Sequence, residues 1–333
     1  MTIDVFNHFM PLAVLDQLRQ RVPGHMALGA FPKLPTLWDV DARLRLLDDF
    51  DDMQQVLSLA NPPIEVLGSP EVTPELARIA NDGLADLCAR HPDRFPTFVA
   101  SMPMNNVEAC LEETARAIDT LGARGIQMFT HVLGKPLSAR EFRPLFAEMA
   151  RRDLPIWVHP IRGPQHADYA TETASENEIW FTFGWPYETT ACMTRLIYSG
   201  LFDEYPSLKI ITHHMGGMIP YFAGKITLGF EQIFEEDGRN PVADKSGLQR
   251  APIDYYHMLY ADTALNGNLD ATRCGHAFFG SGHSLFASDA PFDSEQGRAL
   301  MRETLKAIDG LALPPAERTA ILSGNAKRLM RLA

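Results

Sequence analysis

The chain has no apolar run near the roughly 18 residues that a membrane-crossing helix requires, because charged side chains interrupt every such stretch. No membrane partner is therefore expected. It has no CxxC pair either. Its four cysteines, Cys88, Cys110, Cys192 and Cys274, lie far apart, which predicts reduced, mostly buried thiols in a cytoplasmic protein. The opening Met1-Thr2-Ile3-Asp4 lacks a basic and then apolar leader, so no secretory signal is expected. Basic residues are in deficit: 30 Lys and Arg face 42 Asp and Glu, for a net charge of −12 without a basic stripe. That balance argues against nucleic acid as a partner. Low-complexity tracts, internal repeats and linkers are also missing, which predicts one domain over residues 1–333.

What is present is the composition of a globular enzyme, 46% hydrophobic and 22% charged. Short β-rich apolar runs alternate with longer stretches of helical period, the pattern of parallel strands joined by crossover helices. The strands are expected at Ile3–Phe6, Gln55–Ala60, Thr97–Ser101, Gly125–Thr130, Pro155–His159, Leu208–His213, Met258–Asp262 and Leu285–Ser288. Helical spacing marks Pro74–Arg90, Val107–Leu121, Arg140–Arg152, Pro186–Ser199, Glu295–Ile308 and Pro315–Leu332. Eight strands are the number that closes a (β/α)8 barrel of the TIM type. An open doubly wound sheet is the alternative, but the first turn, Phe6-Asn-His-Phe-Met-Pro11, holds no glycine. Residues 12–40 and 161–185 read as long loops after the first and fifth strands. In a barrel such loops lie on the catalytic face.

The polar residues fall at the ends of these strands. His8 follows the first, His159 ends the fifth, His213 and His214 end the sixth, and Asp289 follows the eighth. A barrel brings all those ends to one rim, so four of only eleven histidines converge with a carboxylate. Imidazoles with one carboxylate suit a divalent metal and leave a position for water or substrate. Zn²⁺ is the expected ion and Mn²⁺ the alternative. Strand alternation allows only one of His213 and His214 to face inward. Asp262, ending the seventh strand, is placed to orient a ligand histidine. Arg162, three residues past His159, is a candidate for a substrate carboxylate, and His131, after the fourth strand, for the rim. Phe183 and Trp185 are candidates to stack on a substrate ring. Glu188, near a helix start, reads as a charge serving the helix dipole.

A series of short motifs then occurs in a specific order. They are Ile-Asp-x-x-x-His-x-x-Pro at 3–11, Ala-Asn-Asp-Gly-Leu-Ala at 80–85, His-Pro-Asp-Arg-Phe at 91–95, Met-Pro-Met at 102–104 and Leu-Gly-Ala-Arg-Gly-Ile-Gln at 121–127. His159-Pro160, Glu188-Thr-Thr, the run at 199–206, His-Met-Gly-Gly at 214–217, Ser-Asp-Ala-Pro-Phe at 288–292 and Gly-Asn-Ala-Lys-Arg-Leu at 324–329 complete it. In these the chain resembles the amidohydrolase-related metal-dependent decarboxylases and hydrolases, the group of aminocarboxymuconate semialdehyde and γ-resorcylate decarboxylases. The resemblance implies that His8, His159 and Asp289 hold the metal, and that His214, directly before the glycines, joins it or polarises its water. It implies homodimers or homotetramers. It also implies non-oxidative decarboxylation of an aromatic or heteroaromatic acid with an ortho hydroxyl or nitrogen, Asp289 protonating the ring carbon and His214 assisting. Hydrolysis or hydration of a lactone or unsaturated diacid is the alternative. One position departs from the pattern: the family opens with His-x-His or Glu-x-His, and here Phe6 stands first. Two outcomes follow: a leaner site that the substrate completes, with Phe6 at the substrate-binding surface, or a homologue that has lost metal and activity.

Overall fold

The computed structural model describes residues 1–229 and 247–332. Eight strands lie in parallel succession: β1 (Thr2–Phe9), β2 (Met53–Leu59), β3 (Ala100–Ser101), β4 (Ile126–Phe129), β5 (Ile156–His159), β6 (Ile210–Thr212), β7 (Tyr260–Asp262) and β8 (Ser284–Leu285). Two sheets, β1-β2 and β3-β4-β5-β6-β7-β8, are joined at both ends. A single bridge, Leu57 to Phe98, links β2 to the approach of β3. On the other side, Val5 N–H donates to Phe286 O at 2.9 Å and His8 N–H to Ala290 O at 2.7 Å. The cylinder is thereby closed as an α/β barrel of the TIM type. No helix among the described residues is long and apolar enough to cross a membrane.

The barrel interior is apolar below and polar above. Ile3, Val5, Phe6, Val56, Val99, Trp157, Ile211 and Leu285 fill it, and Ala326, Leu329 and Met330 of the last helix, Asn325–Met330, belong to the same cluster. Side chains two apart on a strand share a face. The residues one step above Trp157 and Ile211 on that face are His159 and His213. A large apolar side chain therefore lies below each imidazole. Room for Trp157 depends on Gly125 (φ +155°), where a Cβ would meet its ring at 2.4 Å.

The structure corrects the expected elements in four places. β1 runs on to Phe9, so His8 lies on the strand and not after it. Its register against β2 slips, three residues from Asp4 to Asn7 matching two from Gln55 to Leu57. Such a bulge re-aims side chains, which a strict two-residue period does not foresee. β3 and β8 are shorter than expected, because side chains replace part of the ladder: Thr263 Oγ1, for example, accepts from Ala287 N–H at 3.0 Å. Residues 12–40 are not a bare loop, since Leu12–Arg21 is a helix that buries Val14, Leu15 and Leu18. That face packs with Leu76, Ala77 and Ala80 in a satellite cluster. The expected helix over 315–332 is interrupted by a π-turn at Ala320–Gly324. In 161–185 only Ile179–Thr182 and the start of helix Gly184–Tyr198 are helical.

One buried group is a liability. Glu65, in the turn Ile64–Val66, is 3% exposed and neither carboxylate oxygen has a hydrogen-bond partner. Burial pushes its carboxyl up to about 7 from 4.5. A raised carboxyl costs nothing below pH 4.5, where it is protonated folded and unfolded. The cost grows as pH rises and is complete above 7, on the order of 3 kcal/mol. Glu65→Gln is therefore expected to unfold at a higher temperature than the parent at pH 8, with the gap closing at pH 4.5. An equal gap at both pH values would refute the assignment.

Candidate metal centre

Asp289 sits at the meeting point of the strand ends. It stands in the left-handed region (φ 63°), a conformation Asp tolerates better than most residues, and its N–H donates to Phe6 O at 3.0 Å. Its two oxygens face different partners. Oδ1 lies 3.0 Å from His8 Nε2 and 3.7 Å from His213 Nε2, while Oδ2 lies 3.6 Å from His214 Nε2. His159 joins from β5, its ring stacked on that of His213 at 5.1 Å and 5.5 Å from that of His8.

The outer nitrogens of three imidazoles are occupied. His8 Nδ1 faces Leu59 O at 3.4 Å and His159 Nδ1 faces Pro160 O at 2.5 Å. His213 Nδ1 is hydrogen-bonded to Asp262 Oδ2. Asp262 in turn accepts at Oδ1 from the N–H groups of His214 (3.0 Å) and Ala264 (3.1 Å). Carboxylate or carbonyl partners of this kind fix the ring orientation and direct Nε2 inward. The backbone of His8 is also clamped. Arg43, fully buried, donates to His8 O and to Gln55 Oε1, while Asp4 holds Ser288 next to Asp289.

Electrostatics separates the groups. Burial alone would raise the Asp289 carboxyl, but the imidazoles of His213, His214 and His8 around it hold it well below the usual carboxylate range. Burial and the imidazoles of His213 and His8 keep His159 neutral, well below its ordinary value. Burial and then His213 lower His214. His213 also loses to burial, but Asp262 outweighs it and raises the ring to about 9.

Among the described residues, one group of three His, Cys, Asp or Glu side chains brings its ligand atoms within 4.8 Å of one another: His213, His214 and Asp289. His8 and His159 stand outside that group. The Phe6 ring occupies the middle of the imidazole ring, with centroids 4.8 Å from His8, 5.6 Å from His159 and 4.3 Å from His213. At 1% exposure it is a floor to the site, and the expectation that it meets substrate is not supported. The one-histidine rule for β6 also fails, because the strand ends at Thr212. His214 and Met215 then turn through left-handed conformations (φ 53° and 49°), so both rings reach Asp289. The tight return needs Gly217 (φ +62°), where a Cβ would lie 2.4 Å from Pro186 O.

A divalent cation fits these donors. His213 Nε2 and His214 Nδ1 are buried without hydrogen-bond partners, and imidazole with carboxylate is a transition-metal donor set.

The rim is aromatic. Trp185 lies 5.3 Å from His159 and 4.8 Å from Phe181, its Nε1–H donating to Arg162 O at 3.1 Å. Arg162 is already paired with Glu188 (2.9 Å), which is thus an ion-pair partner and not a helix-dipole charge. His131 accepts from Gly134 N–H at 3.0 Å within a short antiparallel ribbon, and burial lowers its pKa. Phe183 is 63% exposed. Two aromatics that sequence reasoning missed stand closer: Phe292 at 5.4 Å from His8, and Phe31 at 5.8 Å from Phe292. Phe292 follows Asp289 in a quoted motif, a usable signal; Phe31 lies in the insertion and had none.

Comparison with known proteins gives the family. Residues 3–332 match the amidohydrolase family. The γ-resorcylate decarboxylase of Rhodococcus jostii is 30% identical over 308 residues, covering 88% of this chain and 87% of that protein. The 2,6-dihydroxybenzoate decarboxylase crystal structure with bound 2,6-dihydroxybenzoate superposes with a TM-score of 0.80 at 27% identity, covering 99% of both chains. A dihydroxybenzoic acid decarboxylase from Polaromonas sp., solved with manganese and the inhibitor 2-nitroresorcinol, gives 0.81 at 27% identity, covering 99% of this chain and 96% of that one. With its barrel, its rim of imidazoles and a match over almost its whole length, the chain belongs to the amidohydrolase family.

Proposed function

We propose that the chain is a metal-dependent carboxy-lyase, removing CO2 without oxidation from an aromatic or heteroaromatic acid that carries a hydroxyl or ring nitrogen ortho to the carboxylate. The observation that carries this reading is Asp289, 17% exposed toward the rim while His8 and His213 behind it are 2% exposed. Its Oδ1 faces His8 and His213, and Oδ2, on the side of His214, is the oxygen that serves proton transfer. The decarboxylase relatives support the same chemistry.

When bound, a divalent cation supplies a positive centre that draws in the carboxylate and the ortho donor and stabilises charge there. Zn²⁺ suits the imidazoles, and Mn²⁺, carried by the Polaromonas relative, is tested beside it. Asp289, ionised at rest, takes the proton of the ortho hydroxyl and delivers it to the ring carbon bearing the carboxylate. The electrons of the C–C bond then return to the ring, CO2 leaves, and the ortho oxyanion takes a proton from solvent through His214. One proton is consumed per CO2 released. Trp185 and Phe292 flank the ring.

The test is CO2 release from 2,6-dihydroxybenzoate, 6-methylsalicylate and hydroxypicolinates by protein reloaded with Zn²⁺ or Mn²⁺. The expected result is turnover with metal and its loss after chelation. Turnover of lactones or enoic acids alone would overturn the reading. We further propose a single-domain homodimer or homotetramer in the cytoplasm, in keeping with four free cysteines; sedimentation would report the oligomer.

A further inference from the structure

The departure at Phe6 leaves the site one donor short, and the structure holds a candidate replacement across the barrel. Three observations single out His213. Its ring is 2% exposed on the inward face above Ile211, and the Phe6 ring packs on it at 4.3 Å. Its Nδ1 is engaged by Asp262, whose other oxygen is pinned by two backbone amides. Its Nε2 has no hydrogen-bond partner although buried, and lies 3.7 Å from Asp289 Oδ1. A buried imidazole with its outer nitrogen fixed by a carboxylate and its inner nitrogen unpartnered is arranged as a metal ligand is.

His214 differs on each count. It is 15% exposed, its Nδ1 is unpartnered and its ring borders Trp185 at 6.5 Å. Among the described residues no carboxylate or carbonyl fixes its Nδ1, which suits a group that exchanges protons.

We infer that His213 is a ligand of the cation, supplying from the end of β6 the donor that Phe6 does not supply from β1, with Asp262 as its positioning residue. The inference rests on the metal-dependent reading above. A purely structural His213–Asp262 pair is the competing account, and the two differ in metal affinity.

The experiment measures Zn²⁺ and Mn²⁺ stoichiometry and affinity by chelator competition, with circular dichroism to verify folding. His213→Ala is expected to weaken affinity more than about 100-fold, and Asp262→Asn about 10–100-fold, as loss of an orienting partner does. His214→Ala should keep affinity within a few-fold while lowering turnover. The double variant Phe6→His/His213→Ala should recover affinity by restoring a donor at β1, which keeps the test decisive if the single variant folds poorly. Parent-like affinity in a folded His213→Ala protein, or no recovery in the double variant, overturns the inference. If the parent itself binds neither ion, the metal-dependent reading fails instead.

Discussion

Asp289→Asn is expected to lower CO2 release by about 10³-fold or more while the protein stays folded. The amide cannot accept and return a proton, and general acid–base groups of this kind contribute roughly 10²–10⁴-fold. The substitution also removes the charge shared by His8, His213 and His214, so metal occupancy should fall with turnover. The fold is spared because the backbone link from Asp289 N–H to Phe6 O, which helps close the barrel, needs no carboxylate. Steady-state rates, metal content and a melting curve check the three parts. His8→Ala is the companion variant, since its Nε2 makes the shortest contact to Asp289, 3.0 Å. If both variants kept parental turnover and metal content, the centre would lie elsewhere.

Arg43→Met should cost about 3–5 kcal/mol of stability, the range for removing one member of a buried charged network. Arg43 is 0% exposed and donates to Thr36 O (2.7 Å), Asn7 Oδ1 (3.2 Å), Gln55 Oε1 (2.9 Å) and His8 O. Burial lowers its guanidinium to about 10, opposed by Asp4, so it is still charged at neutral pH. Methionine fills the volume but leaves those acceptors unmatched in the core. It also leaves Asp4, itself raised to about 6 by burial, without a compensating charge. Arg43→Lys should recover only part of the loss, because one ammonium cannot span the fork of acceptors. Denaturant unfolding reads the effect, and a cost under 1 kcal/mol would show the network to be dispensable. The clamp on His8 O predicts weaker metal binding in the same variant.

Much of the barrel was legible because buried parallel strands are short apolar runs and their crossover helices repeat every three to four residues. Segments such as Ile156–His159 and Thr73–Arg90 fall within two residues of the expected bounds. Legibility ended where long-range contacts override local pattern. The β1 bulge depends on how Asp4 and Asn7 meet β2, and the helix Leu12–Arg21 is defined by the neighbour it packs on. Arg162 read as an available cation because its partner Glu188 is 26 residues away. His213 and His214 read as alternatives for a similar reason: alternation along a strand says nothing about the turn in which the strand ends.

By itself the sequence determined the donors available to this centre. It put histidines and one aspartate at the ends of strands that a barrel must gather, and phenylalanine at position 6. Only the tertiary structure decided which of them meet. The left-handed turn at His214 and Met215, the grip of Asp262 on His213 and the Phe6 ring among the imidazoles are products of packing between segments far apart in the chain. A metal site needs its atoms placed to within a few tenths of an ångström, and that precision comes from the surrounding contacts, not from residue type.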